Sequence, residues 1–208
     1  MKKYLIEAIE KEKTALDALS AMSLQECERV MAAIEECKGK VVFCGVGKSA
    51  HIGAKLAATF ASLGIPSFFV HATESVHGDL GMIEEKDIVI LISNSGTTQE
   101  VIQVLTPLHS IGCMTVACCA NRDSILAKAC DLTLIYPKVT EADAYNLAPT
   151  SSTTLVLVLG DAIACAIPKN ADSIHQISIN FIPAEVLENG LMTNLAYKLY
   201  IWICIRIP

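Results

Sequence analysis

Charge is scarce in this chain, and an excess of base is missing altogether. Only 18% of the 208 residues are Asp, Glu, Lys or Arg, and 22 acids outnumber 16 bases for a net charge of −6. That balance argues against a protein that holds nucleic acid through its overall field. It leaves room for a small anionic ligand, because a helix N-terminus and a single lysine act locally. Paired cysteine motifs are also missing. Nine cysteines stand at positions 27, 37, 44, 113, 118, 119, 130, 165 and 204, with no CxxC spacing among them. Several lie inside apolar runs such as "MTVACCA", so they read as reduced, buried small hydrophobes in a reducing compartment rather than as disulfides or zinc ligands. The N-terminal "MKKYLIEAIEKEKTALDAL" carries charges every few residues and lacks the unbroken apolar core of a signal peptide, so the expected location is the cytoplasm, with no membrane partner. No linker, low-complexity stretch or repeat divides the sequence. The expectation is a single domain over 1–208: N-terminal helices over 1–38, a core over 39–167 and a C-terminal segment over 168–208.

What is present is apolar: 52% of the residues, enough for a large core and for a further surface hidden in an oligomer. Residues 2–20 place Leu5, Ala8, Ile9, Leu16 and Leu19 at helical spacing. A second helix to about Cys37 is announced by Ser23 and Glu26, spaced as a capping box. Strands are then expected at 40–45, 66–71, 87–93, 113–119 and 131–136, alternating with helices at 49–63, 98–111, 123–129 and 151–167. The strand runs are continuously apolar rather than alternating, so both faces of the sheet should be covered. Strand–helix repetition of this kind predicts an α/β fold: a five-stranded parallel sheet between two helical layers, a three-layer αβα sandwich. Ligands of such sheets bind beyond the carboxyl ends of the strands, which singles out the loops after Cys44, Val70, Ile92 and Ile135.

The first of these loops, "VVFCGVGKSA", looks built for a phosphate. A P-loop requires glycine five residues before the Gly47–Lys48 pair, and Val42 stands there, so a triphosphate cradle is rejected. Gly45 to Ala50 satisfies GxGxxA, but the second strand ends in Val70–His71 without the acid that would bind a dinucleotide ribose. The loop after the third strand is more informative. In "LISNSGTTQE", Ser93, Asn94, Ser95, Thr97 and Thr98 crowd a helix start around Gly96, and hydroxyls with open amides there form an anion cradle. A helix cap would need only one of those hydroxyls.

Three stretches, "GVGKSAHIGAKLAATFASLGIPSFFVHATESVHGDLGM", "ISNSGTTQE" and "LAPTSSTT" followed by "GDA", resemble in order and spacing the sugar isomerase (SIS) domain of arabinose-5-phosphate isomerases. The resemblance covers residues 40–167 and is looser over the N-terminal helices. It implies interconversion of D-ribulose 5-phosphate and D-arabinose 5-phosphate through an enediolate, a phosphosugar as the partner, and a homo-oligomer, dimer or tetramer. It implies no required cofactor. Lys48, Glu100, Glu141 and His77 match catalytic positions: Lys48 to neutralise the phosphate or the enediolate oxygen, the two glutamates to handle protons, His77 to open the sugar ring. Gly47, Ser49, His71, Ser93, Asn94, Ser95, Thr97 and Thr98 match substrate or phosphate contacts. Thr150, Ser151 and Ser152 either line the sugar or cap the last helix. His71 is also the position where relatives take an adventitious or inhibitory divalent metal.

The resemblance stops after "GDAIACAI". Relatives continue to a His-Pro-Gly-Gly turn, whereas the histidine here, His175, has no such neighbours and does not inherit the role. The tail "LAYKLYIWICIRI" is too short and interrupted to span a bilayer. It reads as a terminal strand, an oligomer contact or an aberrant end. Two other functions remain open at this level: a non-catalytic sugar-phosphate sensor, and an isomerase acting on a hexulose phosphate.

Overall fold

The computed structural model describes residues 1–167; the expectations for His175 and the apolar tail fall on residues 168–208, outside the described residues. Of the two compact units into which the chain divides, only the one formed by Met1–Ala61 and Ile65–Pro168 is substantially described, and the fold below is its fold.

Five parallel strands build the sheet in the order β2-β1-β3-β4-β5: β1 Val41–Gly45, β2 Ser67–His71, β3 Ile88–Ile92, β4 Met114–Cys119 and β5 Leu132–Ile135. The order explains the sequence pattern. β1 and β3 sit in the middle and are buried at every residue, so alternation would have put polar groups in a core. β2 and β5 are the edges, and their residues are mostly half-buried. Every strand falls within a residue or two of its expected span.

Helices cover both faces. Even-numbered residues of β1 (Val42, Cys44) and odd-numbered ones of β3 (Val89, Leu91) and β4 (Ala117, Cys119) face a core closed by Val101, Val104, Leu105, Leu108 and Leu126. Those side chains come from α5 (Gln99–Ile102), α6 (Leu105–Ile111), α7 (Ile125–Ala129) and the junction between the first two. On the other face Phe43, Ile90, Ile92, Cys118 and Leu134 meet Leu56 and Phe60 of α3 (Gly47–Ser62) and Val156, Leu159 and Ile163 of α8 (Ser151–Ala166). Two further helices, α1 (Lys2–Ser20) and α2 (Gln25–Glu36), pack along α8 and over β5 respectively. The expected three-layer sandwich is what the chain forms.

Three local expectations need correction. The helix expected at 98–111 is two, α5 and α6, because Pro107 has no N–H for the carbonyl of Gln103; as the third residue of a fresh helix its missing donor costs nothing. The Ser23–Glu26 capping box does not form: Leu24 is the N-cap of α2 and no side chain caps it. Glu26 instead accepts from Thr133 Oγ1 at 2.7 Å and Ile135 N at 3.2 Å and pairs with Arg122, stitching α2 to β5. Finally, the apolar stripe of α1 is only half used. Ala15 and Leu19 are buried, whereas Leu5 is 63% and Ile9 50% exposed. The loop after β2 also holds two short elements absent from the expectation, α4 (Ala72–Ser75) and a 3-10 turn at Asp79–Met82.

Candidate active site

The strand register gathers the expected loops on one edge. Gly45 stands beside His71 on one side and Ile92 on the other, and Ile92 beside Cys118. The chain reverses its order between β1 and β3, so the loops after these two strands diverge and leave a crevice.

After β1 the turn is short. Val46 intervenes, and α3 begins at Gly47, whose φ of +56° lies in the left-handed region that a glycine enters without strain. Lys48 follows, exposed and in no ion pair among the described residues. Ser49 lies inside the first turn of α3 rather than at its cap.

The turn after β3 divides its hydroxyls between two uses. Ser93 is buried; its Oγ accepts from Gly96 N at 3.1 Å and shares a 2.7 Å hydrogen bond with Thr98 Oγ1. Those bonds close the turn from inside. Gly96 has φ +67°, and a Cβ there would overlap the Ser124 side chain, so both backbone and packing demand glycine. Asn94, Ser95 and Thr97 line the outer side of the turn, with Ser95 Oγ accepting from Thr97 N and Oγ1 at 3.2 and 2.9 Å. The amides of Gln99 and Glu100 open α5. Glu100 is exposed on that first turn.

The loop after β5 carries Glu141, and here the structure is explicit. The residue is 8% exposed, and its Oε2 accepts from Thr150 N at 2.8 Å, Thr150 Oγ1 at 3.1 Å and Ser152 N at 3.2 Å. Burial works to raise its pKa, but the hydrogen bonds from Ser152 and Thr150 outweigh it and hold the carboxyl below the ordinary value of 4.5. The N-terminus of α8 is thus capped by a glutamate nine residues upstream of it, and Thr150, the N-cap residue, makes no side-chain cap of its own. Among the described residues the hydrogen bonds to the Glu141 carboxylate all fall on Oε2. The loop is fixed from both ends. Asn146, in the left-handed region at φ 55°, accepts from Glu141 N at 2.7 Å, and Lys11 Nζ of α1 donates to the carbonyls of Glu141, Ala142 and Asp143 at 3.3, 3.4 and 3.2 Å. Ser151 is buried and donates to Glu12 Oε1 at 3.2 Å, so it serves the same scaffold.

The first, third and fifth loops meet at a hollow of about 50 Å³ lined by Ser49, Ile52, Ile92, Asn94, Tyr136, Ser152 and Thr153 among others. On this measure about 10–15 Å³ is enough to hold one water, so the hollow seats a few waters or one group of a ligand. The Ser152 hydroxyl on its wall is buried beside Glu141 and, among the described residues, makes no hydrogen bond of ordinary length and angle. A larger groove of about 720 Å³ runs between α1 and residues 138–140, but none of the expected site residues lines it. His71 ends β2 with Nδ1 bonded to Thr73 Oγ1 at 2.7 Å, and His77 lies exposed six residues on. Among the described residues no three His, Cys, Asp or Glu side chains converge on a metal position. Sequence reasoning missed Tyr136, Lys11 and Glu12. Tyr136 looks like the last apolar residue of a strand, and no spacing in the chain links α1 to residues 141–151.

A protein-family model described as the SIS domain matches residues 34–166. Arabinose 5-phosphate isomerase KdsD of Pseudomonas aeruginosa is 46% identical over 160 residues, which is 75% of this chain and 48% of that protein. Arabinose 5-phosphate isomerase KpsF of Escherichia coli is 39% identical over 198 residues, 93% of this chain and 61% of that protein. The chain therefore spans about half the length of the curated relatives it matches. A solved Escherichia coli CFT073 structure in complex with arabinose 5-phosphate is 47% identical, superposes with a TM-score of 0.77, and is covered to 87% by 78% of this chain.

Proposed function

Because this chain belongs to the SIS domain family, we propose that it is a phosphosugar aldose–ketose isomerase that interconverts D-arabinose 5-phosphate and D-ribulose 5-phosphate through an enediolate. The observation that carries the reading is the hollow where the β1, β3 and β5 loops meet, with an anchored carboxylate beside it on the α8 terminus. The relatives that match most of its length bear the same activity in their names.

In this reading the phosphate is a handle. Ser95, Asn94, Ser49 and the open amides of α5 donate to its oxygens, Thr97 holds the Ser95 hydroxyl in place, and Lys48 supplies the positive charge at the β1 mouth. His71 and Gly47 border the same edge. Binding energy from the phosphate then positions C1 and C2 for proton transfer. Glu141 is the base. Its Oε2 is held by three donors, so Oε1 stays oriented as the acceptor, and the depressed pKa keeps the group ionised at neutral pH. Glu100 carries the second proton between the oxygens, and His77 acts on the ring form of the sugar. The chemistry requires no metal or organic cofactor. The small hollow leaves most of a phosphopentose outside it, which favours a homo-oligomer, dimer or tetramer, in which a second copy covers the ligand. The free thiols of the described cysteines fit the cytoplasm.

The test is to incubate the protein with D-ribulose 5-phosphate and follow the sugar pool by NMR. Arabinose 5-phosphate should form with the wild type and fall by about 10²–10⁴-fold in rate with Glu141→Gln. Binding without turnover would make the protein a sensor, and turnover of a hexulose phosphate instead would keep the mechanism and change the substrate.

A further inference from the structure

Tyr136 stands one residue past the end of β5, and its amide adds a rung to the sheet by donating to Cys119 O at 3.2 Å. The ring is 2% exposed, and its hydroxyl reaches to the loop after β3, donating to Asn94 Oδ1 at 3.1 Å. Burial pushes the phenol pKa up, so the group is a neutral donor across the whole working range of pH. Asn94 itself is exposed, and its carbonyl accepts from Ala120 N at 3.0 Å. Its backbone is therefore tied to the end of β4 and its side chain to the end of β5, two strands removed from the one it follows.

That single hydrogen bond has a chemical consequence. An asparagine amide can present either its oxygen or its nitrogen to a ligand, and a free rotor offers both. With Oδ1 engaged by the phenol, Nδ2 is left as the side chain's available group, and it has no protein acceptor among the described residues. Asn94 and Tyr136 both line the hollow, whose wall also carries the hydroxyl of Ser152 beside Glu141 and that of Thr153. The hollow is thereby biased toward donors, which suits an oxygen-rich ligand.

We propose that Tyr136 is a positioning residue that locks the Asn94 amide with its nitrogen toward the ligand, making Asn94 a dedicated donor to an oxygen of the bound phosphosugar. The inference rests on the phosphosugar reading of the site. It differs from a packing role for Tyr136, because it acts only through Asn94.

A double-mutant cycle on the full chain separates the two, read as the dissociation constant for arabinose 5-phosphate by calorimetry and as KM and kcat for ribulose 5-phosphate. Tyr136→Phe keeps the ring and removes only the hydroxyl. It should weaken binding about tenfold, the worth of one hydrogen bond, with KM rising and kcat nearly unchanged. Asn94→Ala should weaken binding at least as much. The double variant should be no worse than Asn94→Ala alone. Multiplying effects in the double variant, or full affinity in Tyr136→Phe, would overturn the proposal while leaving the isomerase intact. If the wild type binds no arabinose 5-phosphate at all, the reading of the site falls and this inference with it. Asn-selective ¹⁵N labelling gives a second view. The Asn94 Nδ2 signals should move on addition of arabinose 5-phosphate to the wild type and move less in Tyr136→Phe.

Discussion

The turn after β3 and the loop after β5 are made of similar residues and do opposite things. In 93–98 the hydroxyls are partly turned inward, Ser93 to Thr98 and Gly96, while Asn94, Ser95 and Thr97 face outward. In 141–152 nearly every polar group is engaged by the protein: Glu141 by Thr150 and Ser152, Ser151 by Glu12, and the 141–143 carbonyls by Lys11. One loop leaves polar side chains at the surface, and the other is a mount that holds a carboxylate still. A run of Ser and Thr therefore signals polarity, and only the fold decides which of the hydroxyls are free.

The sharpest way to break the contrast is at the mount. Glu141→Gln removes the proposed base and the charge that caps α8, so beyond the loss of turnover it should lower stability by about 1–2 kcal/mol, measured by denaturant unfolding at neutral pH. The pH dependence follows from the direction of the shift. A carboxyl whose folded pKa lies below 4.5 contributes its stability fully above the unfolded value, and that contribution disappears as pH falls through the folded pKa. Wild type and Glu141→Gln should therefore differ most at neutral pH and converge in acid. A difference that persists unchanged at about pH 3, below the unfolded value, would contradict the capping role.

A smaller but clear effect is expected in the open loop. Gly96→Ala places a Cβ in a left-handed residue pressed against Ser124, and should cost about 1–2 kcal/mol and displace the turn. Affinity for arabinose 5-phosphate should drop with it, and a variant with wild-type affinity would mean that the turn does not touch the phosphate. The smallest and most discriminating effects come from two serines. Ser93→Ala should lower stability by roughly 1 kcal/mol, because its hydrogen bonds close the turn, whereas Ser95→Ala should leave stability within about 0.5 kcal/mol and weaken sugar-phosphate binding. The reverse pattern would show that the inward and outward roles have been exchanged.

Much of the fold was legible from residue order, for definite reasons. Continuous apolar runs such as "DIVILIS" can only be central strands covered on both faces, and their spacing by helices dictates parallel pairing. The turn chemistry at Gly47 and Gly96 likewise matches the structure: both glycines have positive φ and follow the neighbouring strands β1 and β3. The misses are of another kind. The helix break at Gln103–Val104 follows from Pro107, whose missing N–H leaves the Gln103 carbonyl without its helical partner. Glu26 has the spacing of a capping residue but finds stronger partners in β5 and Arg122, a tertiary contact that no local rule contains. For the same reason Lys11 and Glu12 were invisible as supports of residues 141–151, which lie in a distant part of the chain. Tyr136 carries no polar neighbour in sequence, and its role appears only when β5 lies two strands from β3.

The proposed site requires that the carboxyl ends of β1 and β3 and the N-terminus of α8 hold a single sugar phosphate among them. Backbone amide shifts recorded during titration with arabinose 5-phosphate test it most directly. The prediction is that Lys48–Ser49, Asn94–Glu100 and Ser151–Thr153 move together along one binding isotherm. Perturbations confined to the groove between α1 and residues 138–140, with those three segments unmoved, would contradict it.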